Sequence, residues 1–492
     1  MESWLGWILA VAGVVLVLAE IVVVVLALGV IPGGRKPSTG MAWLILVLAV
    51  PYLGIIAFAL FGSTSVGRKR RAWQHRVNEE VKAAAREQDA TLGTPVGDPG
   101  GAARLNETLG ALPMSFNNRV AVHADYAGTV EAMRVEVEKA QSFVHVEFYI
   151  TAWDDVTASF FETLAAVAER GVQVRLLFDH LGSRGIPVYQ DLLKRLEGTR
   201  IAWAPMLPIS LRKRQVRRPD LRNHRKILIV DGRAAFTGSQ NLIEPGYNKP
   251  KNHKAGREWV EVMVRVEGPV VRDLGVLFAT DWFSETGERL GETLVAVEPT
   301  GLPAPGSVDG VECQVVGSGP GFVTENNLRL FNTLIYSSRR RLSLVSPYFV
   351  PDESLLYAVT TAAQRGVDVE LFVNEGADQF MVFHAQRSYY TALLEAGVRI
   401  RLYPAPYVLH AKFFAVDDDI AVVGSSNMDY RSFALNYEVM LLLRGREVVE
   451  RLDEVLDTYR GLSPELTVEA WKKRSRGSAY VDNVMRLTAA LQ

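Results

Sequence analysis

His224-Arg-Lys226-Ile-Leu-Ile-Val-Asp231-Gly-Arg-Ala-Ala-Phe-Thr-Gly238-Ser239-Gln-Asn241 is the stretch that decides how this chain is read. A His and a Lys stand two apart, an Asp follows the Lys by five, and Gly-Ser-x-Asn closes the run. His410, Lys412, Asp417, Gly424, Ser425 and Asn427 repeat the pattern, each 186 residues after its counterpart (410 against 224, 427 against 241). At residue frequencies of about 2–7% each, six matched positions arise by chance at roughly one in 10⁸ starts. The chain therefore carries a duplicated unit.

The surroundings of each copy are duplicated too. Phe143 to Ile150 alternates and is rich in β-branched residues, so it reads as a strand. Phe160 to Arg170 reads as a helix ended by Gly171, and Val172 to Asp179 as the next strand. Leu342 to Val350, Leu355 to Arg365 with Gly366, and Val367 to Val373 give the same order again. Glu169-Arg-Gly-Val-Gln-Val matches Gln364-Arg-Gly-Val-Asp-Val at an offset of 195. Strand–helix–strand order implies parallel strands with helices on the sheet faces. The expected fold is α/β, with two repeats, each a mixed sheet flanked by helices, paired about a pseudo-twofold axis. The domains are placed at 118–290 and 310–492, joined by a proline-containing linker at 291–309.

His-x-Lys opens a strand in each copy (Ile227 to Val230, Phe413 to Val416). Residues two apart on a strand share a face, so His224 with Lys226, and His410 with Lys412, are expected side by side. Asp231-Gly232 then turns a hairpin, and the following strand delivers Gly238-Ser239. If the copies pair face to face, one pocket gathers two imidazoles, two ammonium groups, two hydroxyls and two amides. That set suits a phosphate diester. Lysines offset its charge, and Ser239, Asn241, Ser425 and Asn427 donate to its oxygens. One imidazole can attack phosphorus while the other protonates the leaving alkoxide. A lysine beside each His argues against a metal, and there is no zinc-ligand pattern. Glu261 and Glu438 follow the motifs on apolar runs. A buried carboxylate needs a partner, and a motif His is the attractive one, with an unrelated Arg as the alternative. His75, His123, His145, His180, His253 and His384 follow no repeat and read as structural or surface residues.

The 492-residue chain has 48% apolar and 22% charged residues, a net charge of −1 and one cysteine, Cys313. No global field draws it to nucleic acid. The lone cysteine excludes an internal disulfide and fits a reducing compartment. Its excess apolar residues lie at the start, where Leu5 to Ile31 carries one charge, Glu20, and Met41 to Phe61 carries none. About 20 helical residues cross a bilayer core, so residues 1–71 are expected to form a transmembrane hairpin, with spans near 5–31 and 41–62. Trp4, Trp7 and Trp43 would be interfacial anchors. The first span lacks the basic start of a signal peptide. Glu20 is either protonated and packed, or a contact for substrate or protons. Arg68-Lys69-Arg70-Arg71 outweighs Arg35 and Lys36, which puts the larger part in the cytoplasm. Residues 72–117 read as a juxtamembrane helix and a Gly/Pro-rich linker. Within them Leu105 to Met114 is a short amphipathic helix, placed against either lipid or the first domain. Leu211 to Lys226 is strongly basic. It reads either as a solvated loop or as a collector of anionic headgroups.

Taken together, the motif residues are the signature HxK(x)4D(x)6GSxN, present twice, and the chain resembles the phospholipase D superfamily. More closely, it looks like its bacterial cardiolipin synthase branch. Pro51-Tyr-Leu-Gly54, Trp259-Val-Glu261, Glu267-Gly-Pro269, Gly317-Ser-Gly-Pro-Gly321 and Ser346-Pro-Tyr-Phe-Val-Pro351 carry the likeness. The most specific stretch is Asn427-Met-Asp429-Tyr-Arg431-Ser432-Phe-Ala-Leu-Asn436-Tyr-Glu438.

The resemblance implies a multi-pass enzyme of the bacterial cell membrane, with cytoplasmic catalytic domains acting on membrane phospholipids. One phosphatidylglycerol would donate its phosphatidyl group to a histidine, releasing glycerol, and a second would accept it to give cardiolipin. It implies catalytic roles for His224, Lys226, Asp231, His410, Lys412 and Asp417, with His224 as nucleophile and His410 as acid and base, and no metal or cofactor. Two local departures stand out: Asp417-Asp-Asp419 replaces the Asp-Gly turn, and residues 249–256 look like an insertion. A hydrolase of the same chemistry, or a transferase using phosphatidylethanolamine as donor, is the competing reading. A nuclease would show a wider basic field, and a non-catalytic scaffold would not need both motifs intact.

Overall fold

In the computed structural model, which describes residues 2–33, 37–62, 101–209, 220–290, 299, 303, 306–320, 322, 325–376 and 378–488, the chain divides into two units, residues 1–65 and 66–492. The juxtamembrane helix, most of the linker after it, the basic loop at 210–219 and most of the linker at 291–309 lie outside the described residues.

The first unit holds α1 (Glu2–Val30), α2 (Pro37–Ala49) and α3 (Pro51–Phe61). The second expected span is not one helix. It breaks at Val50, whose φ and ψ are −141° and 78°. Pro51 causes the break, because it has no N–H to continue the ladder and restricts the residue before it. The pieces have 13 and 11 residues, about 20 Å and 17 Å at 1.5 Å per residue. Among the described residues no helix is long and apolar enough to cross a membrane. α1 runs for 29 residues, but several of its side chains, Glu20 included, lie outside the described set. Ala27, Ile31, Leu44 and Val47 make a small buried cluster.

The second unit is built on one sheet of 14 strands. Its first half supplies β1 (Ser115–His123), β2 (Phe143–Phe148), β3 (Gln173–Asp179), β4 (Ala202–Met206), β5 (Lys226–Val230), β6 (Ala234–Gly238), β7 (Trp259–Val260) and β8 (Met263–Glu267). The second half supplies β9 (Val308–Ser318), β10 (Arg341–Val345), β11 (Phe349–Val350), β12 (Asp368–Asn374), β13 (Arg399–Tyr403), β14 (Val408–Leu409), β15 (Phe413–Val416), β16 (Ile420–Gly424), β17 (Met428–Asp429) and β18 (Glu438–Arg444). The two-residue strands β7, β11, β14 and β17 pair outside the main sheet.

Across the main sheet the order is β4-β3-β2-β5-β6-β8-β1-β9-β18-β16-β15-β10-β12-β13. Each strand has its duplicate at the same distance from the centre, where β1 meets β9 antiparallel. The halves therefore join edge to edge, not face to face. Each half brings one of its two edge strands to the seam, and pairing them satisfies their backbone groups. Side chains add to the seam: Asn118 Nδ2 donates to Val311 O (3.1 Å) and Ser115 Oγ to Cys313 O (3.1 Å). Within each half β2-β3-β4 and β10-β12-β13 run parallel, because helices such as Ala158–Glu169 and Glu353–Gln364 carry the chain back between strands. The remaining pairs are antiparallel, and two of them, β5–β6 and β15–β16, are tight hairpins. The β5–β6 turn has Asp231 at φ 52° and Gly232 at φ 64°, the left-handed pair that matches strand twist.

Helices Val270–Thr286 and Arg446–Leu462 bury their apolar faces against the central strands. One continuous core joins Val264, Leu274 and Phe278 to Val439, Leu441 and Leu452 across the seam. The expected amphipathic helix at 105–114 appears as Ala102–Thr108 and packs on the second repeat, not the first. Ala102, Ala103 and Met114 are buried with Leu330 and Phe331 of the second repeat. Gln314 fixes the segment by donating to Ala103 O (3.1 Å) and Leu112 O (3.0 Å) and accepting from Asn106 Nδ2 (2.8 Å).

The motif glycines end β6 and β16 where the next strand passes close by. A Cβ on Gly238 would sit against Val262 O, and one on Gly424 against Val439 O, backbone atoms that cannot swing aside. Gly238→Ala and Gly424→Ala are each expected to destabilise the fold by about 1–3 kcal/mol, read as a lowered thermal midpoint. An unchanged midpoint in both would mean the strand contact is not tight.

Candidate active site

Each motif His precedes its strand and is fastened to the other half of the molecule. His224 N donates to Tyr437 O (2.8 Å), and Tyr437 N donates back to Arg222 O (2.8 Å). In the second copy β14 lies parallel to β7, pairing Leu409 with Val260, and His410 N donates to Val260 O (2.7 Å). Tyr437 and Val260 are the residues just before Glu438 and Glu261. The backbone thus brings each His to the carboxylate of the opposite repeat. His410 Nδ1 is 2.7 Å from Glu261 Oε1. His224 Nδ1 is 3.3 Å from Glu438 Oε1, near enough for an ion pair but without hydrogen-bond alignment. A carboxylate only accepts, so at His410 Nδ1 carries the proton and Nε2 is left with its lone pair.

Glu438 is fixed in turn by Ser425 Oγ (2.6 Å to Oε2) and Asn436 Nδ2 (3.3 Å to Oε1). Burial raises the pKa of each glutamate. His410 and Lys412 outweigh it at Glu261, and His224 and Lys226 outweigh it at Glu438, so both carboxyls sit below their usual range. Burial acts in the same sense on the four bases. It lowers His224 to about 4, with Lys226 helping and Glu438 opposing, and lowers His410 to about 4 against the pull of Glu261. It lowers Lys226 to about 8 and Lys412 to about 7. Both imidazoles are therefore neutral near pH 7, and the lysines are close to their titration range.

The lysines do not lie beside their histidines on a strand face, because His224 and His410 are outside β5 and β15. Instead each ammonium reaches back. Lys226 Nζ donates to His224 O (2.6 Å) and Lys412 Nζ to His410 O (2.5 Å). Lys226 also stands over the Tyr149 ring at 5.5 Å, and that ring lies 4.3 Å from the His224 imidazole.

The other motif residues serve the scaffold. Asp231 accepts from the N–H groups of Gln141, Ser142 and Phe143 at 2.8–2.9 Å, and Asp417 from those of Arg339, Arg340 and Arg341. Each closes the loop into β2 or β10. From Lys226, five strand residues carry Asp231 about 16 Å along the strand, and the same spacing separates Asp417 from Lys412. The Ser and Asn side chains are likewise already engaged. Ser239 and Ser425 accept from Val262 N (3.0 Å) and Val439 N (2.9 Å). Asn241 accepts from Ile150 N (3.2 Å) and donates to Tyr247 Oη (2.8 Å). Asn427 helps hold Asp429. Ser239, Asn241, Ser425 and Asn427, expected to bind phosphate, all lie in the loops around the glutamates and histidines and have protein partners there.

Three supports escaped the reading of the motif. Asp179, at the end of β3, accepts from Asn223 N (2.9 Å) and from Arg222 (3.1 Å). Asn374, at the end of β12, brackets Leu409, accepting from its N (2.7 Å) and donating to its O (3.0 Å). They are 195 apart, the offset of the Arg-Gly-Val repeat, and that offset was a usable signal. Arg225, fully buried, donates to Glu438 O (3.1 Å) and pairs with Asp281. Among the described residues no group of three or more His, Cys, Asp or Glu is placed to hold a metal ion.

Comparison with known proteins bears on what this geometry serves. A family described as "Cardiolipin synthase, PLD-like domain" matches residues 133–282 and 331–460. Cardiolipin synthase A of Proteus mirabilis is 33% identical over 449 residues, covering 89% of this chain and 90% of that one. The protein of the same name from Pectobacterium carotovorum is 32% identical over 471 residues, covering 92% of each. Among solved structures, phosphatidylserine synthase of Haemophilus influenzae matches with a TM-score of 0.58 at 13% identity, over 80% of this chain and 98% of that one, a likeness of fold.

The two depressed imidazoles set a pH dependence. Between pH 6.5 and about 4 the unfolded chain binds protons that the folded site refuses, so stability falls as pH falls through that window. The glutamates, held low, contribute their own loss only further down. Thermal midpoints should drop between pH 7 and 5, and His224→Asn/His410→Asn should flatten that drop. Parallel curves for the two proteins would contradict the assignment.

Proposed function

The chain belongs to the family of cardiolipin synthases with phospholipase D-like domains, and on that premise we propose that it is a phosphatidyltransferase condensing two phosphatidylglycerol molecules into cardiolipin and glycerol. The crossed His–Glu pairs carry this reading. They give one cleft two imidazoles with free Nε2 atoms, each backed by a carboxylate. His224 Nε2 attacks phosphorus of the donor and forms a P–N bond. The P–O bond to the glycerol headgroup breaks, and His410 supplies the proton that leaves with the glycerol oxygen. In the second half the headgroup hydroxyl of another phosphatidylglycerol gives its proton back to His410 and attacks phosphorus. The P–N bond breaks and cardiolipin results.

The charge balance explains how His410 acquires that first proton. In the empty cleft two ammonium groups face two carboxylates, and the imidazoles are neutral. A diester brings one negative charge, which favours one imidazolium. Glu261, hydrogen-bonded at 2.7 Å, stabilises it at His410. Assignment of His224 as nucleophile rests on the family likeness. The looser grip of Glu438 on His224 is consistent with it. The catalytic body is assembled from residues 118–290 and 310–492, neither of which holds a complete site.

In vesicles containing phosphatidylglycerol, without added metal, the protein should release glycerol and form cardiolipin. Phosphatidic acid without cardiolipin would make it a hydrolase. His224→Ala and His410→Ala should each lose activity, and a phosphorylated intermediate should be trapped in His410→Ala and not in His224→Ala. Because the pairs cross, Glu261→Gln should lower kcat by about 10²–10⁴ and trap intermediate as His410→Ala does. If it behaves as His224→Ala does, the crossed assignment fails.

The first unit, with Trp4, Trp7, Leu18, Leu26 and Leu53 all more than half exposed, attaches the enzyme to the bacterial cell membrane. Arg68 to Arg71 favours the cytoplasmic side for the catalytic body. The full chain should stay with membranes washed in alkaline carbonate. Its release into the wash would remove the anchoring role.

A further inference from the structure

The segment that looked like an insertion, residues 249–256, was not absorbed by the chemistry. It forms the helix Pro250–Lys254 and exposes Lys251, His253 and Lys254. Its far end leads directly to the catalytic cleft. Glu258 O accepts from Val408 N (2.9 Å), β7 then pairs with β14, and Glu261 and His410 follow. Pro406 packs against Gly256. The loop that bears Tyr407 therefore touches the basic segment three residues before His410.

Beside it lies a second loop. Asn374 brackets Leu409, and four residues later Asp378 accepts from Tyr348 Oη (2.5 Å), to which Gln379 also donates (2.8 Å). Glu375 of this loop accepts from Ala405 N (3.2 Å), so it lies against the loop that bears Tyr407. Phe380 and Met381 come next, at the start of helix Phe380–Arg387. They are 61% and 44% exposed, and Tyr407 is 48% exposed. Three large apolar side chains in water beside a lysine pair call for an apolar and anionic covering.

We propose that Phe380, Met381 and Tyr407, with Lys249, Lys251 and Lys254, form a rim that seats the mouth of the catalytic cleft on an anionic phospholipid surface. The aromatic and thioether side chains enter the acyl boundary, and the lysines meet the headgroup phosphates. The rim lets a diester reach the histidines while its chains stay in the bilayer. The inference rests on the reading of the chain as a lipid phosphatidyltransferase and adds which face meets the lipid.

Cys313 is the only cysteine and is buried, so an introduced thiol can be labelled alone. Full-length Phe380→Cys and Tyr407→Cys would each carry an environment-sensitive fluorophore. Glu169→Cys, at the opposite end of the sheet, serves as control. In phosphatidylcholine vesicles, adding phosphatidylglycerol should shift emission at 380 and 407 to the blue and allow quenching by lipids brominated in the acyl chain. The label at 169 should not respond. Lys251→Gln/Lys254→Gln should weaken the response about 5-fold in apparent lipid affinity per removed charge. Silence at both 380 and 407 in protein that makes cardiolipin overturns the rim alone. A response in protein that transfers nothing overturns the function and leaves the rim. A response that follows protein concentration in neutral detergent would assign the surface to a second copy and overturn the proposal.

Discussion

The crossed contact between each histidine and the glutamate of the other repeat is the constraint on which the rest of the catalytic body depends. Glu261 and Glu438 are buried carboxylates, and a buried charge is tolerable only with partners. Ser425 and Asn436 of its own repeat bond Glu438, but the imidazole facing each glutamate comes from the other repeat. The two halves must come together for either carboxylate to be matched, and the same event assembles the cleft. The backbone repeats the logic, since the N–H of each histidine is bonded to the residue preceding the opposite glutamate.

Around that contact the duplicated parts act as a frame. The motif aspartates, five residues along the strand from the lysines, close the loops into β2 and β10 with three backbone acceptances each. Their left-handed φ, 52° and 51°, is one that Asp tolerates. The serines hold the strand that carries the glutamate. Asp179 and Asn374, at the ends of β3 and β12, fix the segments before the histidines. Much of the signature therefore helps to maintain the geometry around the imidazoles, ammonium groups and glutamates.

The symmetry is not complete. The residue between His and Lys is Arg225 in one copy and Ala411 in the other. Arg225 reaches across the seam to the carbonyls of Glu438 and Ser318 and pairs with Asp281. Tyr149 leans on His224 alone. The His224–Glu438 pair is also the longer one. Two chemically identical groups thus sit in different surroundings.

Spacing alone fixed a good deal. The paired motifs, the strand–helix–strand repeats, the parallel and antiparallel segments and the identity of the histidines and lysines follow from local periodicity and from exact recurrence at 186 and 195 residues, and the glutamates from their like place on an apolar run after each motif. These are properties of short stretches, and a sequence records them directly. What it did not record was who meets whom. Edge-to-edge joining through β1 and β9, the crossing of the His–Glu pairs, the loop closures by Asp231 and Asp417, the bond of Asn241 to Ile150, and the docking of Ala102–Thr108 on the second repeat are contacts between residues roughly 80 to 230 positions apart. The break at Pro51 belongs with the first group, because proline's missing N–H was visible in the sequence and was outweighed by apolar content. The long-range contacts are set by which edges and buried charges remain unsatisfied once each repeat has folded, and only the closed tertiary structure decides that.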